Sequence, residues 1–205
     1  MHTQQFKGKQ LTYTKVKNNI LRVWNVATND DKFNWYQNAY DQAVRIVESV
    51  DNELPIEDSS IIKVVGVIAS LSPLTKWSVN LEKAEEFVNT GNCKHIGQFK
   101  RKAKAIIESD GNPDTVCDIL SGNKITSFFL NILRPHDSTF ITIDRHALSI
   151  ALGYKINPED YQGITKNQYD FFVKCYVLAA EKVGVPPLLM QSATWVRFRK
   201  LHNIK

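Results

Sequence analysis

Apolar residues in this chain recur at intervals of three and four in segment after segment, the spacing that lines them up on one face of a helix. Val16, Ile20, Val23 and Trp24 form one such set, and Phe33, Tyr36, Tyr40, Val44 and Val47 form the next. After a turn at Asp51–Pro55, a third helix runs from about Glu57 to Leu71. From Ile61 onward it is apolar nearly all round, which marks a central buried element. It stops at Ser72-Pro73, because proline disfavours helix in the residue before it.

Leu81, Ala84, Phe87 and Val88 mark a fourth helix, ended by Thr90-Gly91. A basic helix opens at Gly97 with Phe99, Ala103, Ile106 and Ile107 facing inward, and a short one starts near Pro113, a first-turn position proline tolerates. Thr165 and Gln168 have the form of a capping box before a helix over about Lys166 to Val183. Pro186-Pro187 begins a last helix through Trp195 and Phe198. The only strand-like run is Thr139–Ile143. The expected fold class is therefore all-α.

At 205 residues the chain can build one sizeable core or two small subdomains sharing an interface. The net charge of +5 permits an anionic partner without requiring one. Ile61–Leu71, the longest apolar stretch, is broken by Lys63 and falls short of the ~20 residues a membrane span needs. The N-terminal residues are polar and lack the apolar core of a secretory signal. Cys93, Cys117 and Cys175 lie far apart and form no CxxC pair. They suggest neither a disulfide framework nor a metal site, and a reducing, intracellular setting is expected (cytoplasm or nucleoid, or the host cell for a viral protein). No cofactor, no metal and no membrane association are expected, and the chain is taken as a monomer.

Chemistry concentrates in SGNKITSFFLNI (Ser121–Ile132) and TFITIDRHALSIALG (Thr139–Gly153). The first sets a hairpin ending in Lys124 before an apolar helix. The second delivers Asp144 to the start of another helix. An amine and a carboxylate, each at a helix start, can act together on DNA.

These segments and two before them resemble the helix-hairpin-helix DNA glycosylases of the endonuclease III type. VGVIASLSPLTKW is similar to that family's buried helix and following loop, LLSxQT. GQFKRKAKAII resembles its G-x-x-x-x-K-A-x-x-I helix. PDTVCDILSGNKITSFFLNI resembles LPGVGxKTAxxhL (h apolar), and ITIDRHALSIALG resembles hVDTHVxRhxxRLG. The four occur in the family's order, between Ile61 and Gly153. Two features depart from the pattern. The hairpin keeps one glycine, Gly122, and after Asp144 only Cys175 remains of the cysteines that would hold an iron–sulfur cluster.

The resemblance implies roles. Ser121, Gly122 and Asn123 would hold a DNA phosphate on backbone N–H groups at a helix N-terminus; an ordinary helix–helix turn would use the same residues. Lys124 would attack the sugar C1′ as a neutral amine, which requires desolvation; otherwise it is a solvated first-turn lysine touching phosphate. Asp144 would stabilise charge developing at C1′ and activate the attacking group. It can also cap the helix Arg145 to Leu152, and the two roles are compatible.

His146 would support packing or a phosphate, while His2, His95, His136 and His202 read as surface residues. Leu74 would wedge into the gap left by an extruded base, or else fill a core, and Lys76, two residues on, would contact the DNA. Trp77 and Phe128 would stack on that base, or pack in the interior. Lys94, Lys100, Arg101, Lys102 and Lys104 could follow the DNA backbone or form a solvated face.

The resulting expectation is a single glycosylase-like unit over 1–205, with two helical subdomains flanking a cleft. One subdomain covers about 55–134 with the hairpin at 120–124, and the other covers about 1–54 plus 135–205. Lys124 and Asp144 would stand on facing walls. The expected activity is excision of a damaged or modified base from double-stranded DNA, with strand cleavage if Lys124 is the nucleophile. The alternatives are a glycosylase fold adapted to hypermodified bases, a non-catalytic DNA-binding module, and an interaction protein with no nucleic-acid role.

Overall fold

The computed structural model describes residues 3–50 and 58–204. The turn at Asp51–Pro55, the helix start at Glu57 and His2 lie outside the described residues. The helices are α1 Tyr13–Asn25, α2 Trp35–Val50, α3 Asp58–Leu71, α4 Trp77–Thr90, α5 Gly97–Ile107, α6 Pro113–Leu120, α7 Asn123–Leu133, α8 Arg145–Leu152, α9 Lys166–Val183 and α10 Pro187–Leu201. The all-α class holds, with one small addition.

That addition is an antiparallel hairpin of β1 Thr3–Phe6 and β2 Lys9–Thr12. Its loop is Lys7-Gly8, both at positive φ (46° and 74°), as a two-residue turn matched to strand twist requires. Phe6 and Leu11 are the inward residues. The expected strand at Thr139–Ile143 does not form. Among the described residues the segment joins no sheet, and the buried Tyr169 hydroxyl supplies what a ladder would. It accepts from the Ile143 N–H at 3.1 Å and donates to the Ile141 carbonyl at 2.8 Å.

The chain divides into two units, residues 1–35 with 136–205, and residues 36–135. In the first, α1 packs on α8, α9 and α10 around Val16, Ile20, Ile143, Leu148, Phe172 and Tyr176. The Thr165–Gln168 capping box forms as expected at the start of α9. The Tyr176 hydroxyl donates to the Ala147 carbonyl at 2.9 Å and fixes α8 against α9.

In the second unit, α3 is the central element, in contact with α4, α5, α6 and α7 and buried at nearly every position from Val64 to Leu71. Gly66 is needed for this. A Cβ there would lie 2.9 Å from methyl carbons of Ile106 and Val116, closer than atoms can approach. The unit begins at Tyr36 rather than near residue 55, because α2 carries contacts to α4 and α7. Tyr36 meets the Phe128 ring edge-on at 6.5 Å, Gln42 accepts from the Trp77 indole, and Ser49 bonds Glu85. The buried stripe of α2 is Tyr36, Ala39, Ala43, Ile46 and Val47. Phe33 precedes the helix and is exposed.

Candidate active site

Two sets of residues carry chemistry, one in each unit. In residues 36–135, α6 and α7 are joined by Ser121 and Gly122 alone. Both have positive φ, 54° and 94°. Glycine adopts this freely, whereas serine does so at a cost of roughly 1 kcal/mol. The turn reverses the chain in two residues and presents the first N–H groups of α7, at Asn123, Lys124 and Ile125, which have no acceptor within the helix. The space beside Gly122 is open, and Ser121, Gly122, Asn123 and Lys124 are all exposed. The ammonium of Lys102 donates to the Leu120 carbonyl and closes the end of α6. The burial that a neutral amine nucleophile needs is absent at Lys124.

Leu74 is the second strained residue of this unit. Ser72-Pro73-Leu74-Thr75 is a β-turn closed by the Thr75 N–H on the Ser72 carbonyl at 3.3 Å, with Leu74 at φ 61°. That position of a turn normally takes glycine or asparagine. Leu74 is also 93% exposed, so it is not a core residue. His95 braces the turn, contrary to its expected surface role. Its Nε2 lies 2.9 Å from the Leu71 carbonyl oxygen and 3.0 Å from the Thr75 hydroxyl, while its Nδ1 accepts from the Ile96 N–H at 2.7 Å. Lys76 is exposed just before α4. Trp77 and Phe128 are half-buried against each other, ring centroids 6.5 Å apart at 85°. Of the basic cluster, Lys100 bonds Asn92 and Lys104 pairs with Glu108, whereas Lys94 and Arg101 are exposed.

In the other unit Asp144 caps α8, as expected. Oδ1 accepts from the Ala147 N–H at 2.7 Å, and Oδ2 accepts from the Trp195 indole N–H at 2.9 Å. The indole ring is itself packed on three sides. The Arg199 guanidinium lies 4.5 Å from its centroid, with Trp35 at 5.8 Å and His146 at 6.2 Å. Burial pushes the His146 imidazole below its ordinary pKa, opposed by the Asp144 carboxylate and reinforced by Arg145, Arg199 and Lys155. Its Nδ1 is buried with no hydrogen-bond partner. Burial likewise raises the Tyr161 phenol, with Asp144 adding to the effect.

Asp31 anchors α10 through Lys200 and Arg197. It is fully buried and accepts from Lys200 at 2.6 Å, with Arg197 at 3.7 Å. Burial alone would raise its carboxyl, but the bonds from Lys200 and Thr28 outweigh that and hold it below the usual value.

The structure thus gathers Ser121, Gly122, Asn123 and Lys124 at one turn, and Leu74 and Lys76 on another loop. Asp144 and His146 share the start of α8. Trp195, Arg199, Asp31 and His95 were not anticipated. The i, i+4 pair Trp195 and Arg199 was a weak signal for a stacked cation, but nothing in the sequence links Trp195 to Asp144. Among the described residues no group of His, Cys, Asp and Glu side chains could hold a metal ion, and no helix is long and apolar enough to cross a membrane. The three cysteines are unpaired, and burial pushes the Cys175 thiol up to about 12.

By fold and site this is an all-α protein with an exposed two-residue helix–helix turn and an N-capping aspartate fixed by an indole. The chain belongs to a family of unknown function, DUF7178, whose model matches residues 2–202. No curated protein and no solved structure matches it.

Two outcomes follow from this geometry. Leu74→Asn removes backbone strain and no buried surface, so stability to chemical denaturation should be unchanged or raised by up to about 1 kcal/mol; a loss beyond that would place Leu74 in a packed environment. The unfolded chain protonates His146 at the ordinary value near ~6.5 and the folded chain only at lower pH. Its contribution to stability is therefore intact above that value and is lost as pH falls through the window below it. The melting temperature should drop between pH 7.5 and 5.5, and the drop should be smaller in His146→Gln; equal drops would remove His146 from the linkage.

Proposed function

We propose that this chain is a DNA N-glycosylase that hydrolyses the bond between a damaged or modified base and its deoxyribose. The observation that carries the reading is Asp144. Its carboxylate is half-buried at the start of α8, and each oxygen is oriented by one N–H donor while keeping a further lone pair. A carboxylate held this way needs little rearrangement to stabilise positive charge at C1′. In the proposed step a water oxygen bonds to C1′ as the C1′–N bond breaks. The water proton passes to Asp144, and the base leaves with the bonding electron pair and is then protonated.

The Ser121-Gly122 turn supports the DNA side of the proposal. Its exposed N–H groups at the start of α7 suit a phosphate, and Lys124 beside them adds a cation. Leu74 supports base extrusion, being an exposed apolar side chain held out by a braced, strained turn. The exposure of Lys124 favours phosphate contact over nucleophilic attack, and hence hydrolysis without strand cleavage.

The test is base release, read by mass spectrometry, from duplexes carrying oxidised, deaminated, alkylated and hypermodified bases. Asp144→Asn should abolish release. Its amide NH2 must face one of the two donors, so the variant loses a bond, and circular dichroism should confirm that it still folds. Release that persists in Asp144→Asn would refute the role of Asp144. Binding that falls steeply with salt but yields no released base would leave a DNA-binding module. Borohydride trapping of a covalent adduct through Lys124 would restore the lyase reading.

A further inference from the structure

The unit formed by residues 1–35 and 136–205 has an open cleft of about 500 Å3 that the proposed excision chemistry does not use. Its size lies within the ~300–1,000 Å3 of ordinary small-molecule sites. Phe33, Trp35 and Trp195 supply aromatic walls, and Arg199, Lys200 and Asn203 supply polar groups. Phe33 is 42% exposed just ahead of α2, an unusual position for a phenylalanine with nothing to cover it.

Arg199 is the informative residue. Its guanidinium lies over the Trp195 ring, and its buried Nε has no hydrogen-bond partner. Guanidinium offers five N–H donors, and a half-buried one is ordinarily matched to an oxygen acid. The carboxylate whose charge acts on it, Asp144, already accepts from Ala147 and Trp195. Burial pushes the Arg199 guanidinium below its ordinary pKa, and Asp144 only partly opposes this. An anion in the cleft would supply the missing counter-charge. Lys200, fixed by its 2.6 Å bond to Asp31, stands beside it.

We propose that this cleft binds a nucleotide, with its planar base against the aromatic walls and its phosphate on Arg199. Aromatic rings give a heterocycle a stacking platform that tolerates any base, and a stacked arginine adds phosphate affinity. Asn203 offers an amide for the base edge. The proposal rests on the cleft and Arg199 and does not require Asp144 to be catalytic. Occupancy would still reach Asp144, because Trp195 is at once a cleft wall and the donor to Oδ2.

The experiment is a titration of the full chain with 2′-deoxyadenosine 5′-monophosphate, read on the tryptophan indole N–H signals by NMR. The Trp35 and Trp195 signals should move, and those of Trp24 and Trp77 should not. Arg199→Gln should weaken binding roughly tenfold or more, as loss of a charge-assisted bond implies, and deoxyadenosine without phosphate should bind worse by a similar factor. Phe33→Ser, at an exposed position, keeps the test open if Arg199→Gln fails to fold.

A single-stranded oligonucleotide that binds more tightly than the mononucleotide would identify the source as a nucleotide within a strand, and equal binding would identify a free nucleotide. No movement of the Trp35 and Trp195 signals, or movement unaffected by both variants, would overturn the proposal. Base release can fail with this binding intact, and this binding can fail with release intact, so the two readings separate.

Discussion

The hydrogen bond from the Trp195 indole to Asp144 is the contact on which the candidate site depends. It joins the first turn of α8 to the middle of α10 and sets the second oxygen of a carboxylate whose first oxygen is already fixed by Ala147. A charged acceptor makes such a bond worth about 1.5–3 kcal/mol, more than an exposed ion pair contributes. The same indole carries Arg199 on its face and borders the cleft. One side chain therefore sets the carboxylate and shapes the neighbouring wall.

Strain is placed with equal economy in the other unit. Its described non-glycine residues with positive φ are Leu74 and Ser121, each in a tight turn on the surface. Neither gains burial in return, since both are exposed. Backbone strain that the fold does not need is a reasonable mark of a binding surface. At Ser121 it shortens the hairpin to two residues. At Leu74 it holds an apolar side chain out in solvent, supported from beneath by His95.

Much of the helical framework was legible because its signals are local. Thr165 and Gln168 announce α9, Pro113 opens α6, and Asp144 begins α8 one residue before Arg145. The burial of α3 followed from its unbroken apolar run. The N-terminal hairpin was missed although Lys7-Gly8 carries the turn signal, because Phe6 and Leu11 alone give too short an alternation to stand out. Thr139–Ile143 misled in the opposite direction. Its β-branched residues suit a strand, but whether a partner exists is a tertiary fact, and here Tyr169 takes that place. The roles of Trp195, Arg199 and Asp31 depend on contacts between distant segments, which no spacing in one chain encodes. Asp144 is legible as a helix cap, since aspartate before a helical run carries that meaning locally.

The most direct measurement is a double-mutant cycle in chemical denaturation with Asp144→Asn, Trp195→Phe and the combined variant. Phenylalanine keeps an aromatic ring and loses the N–H donor. A coupling of about 1 kcal/mol or more is expected, the mark of two groups in direct contact. Additivity within about 0.5 kcal/mol would contradict it, since Trp195 would then be a cleft wall that does not hold the carboxylate.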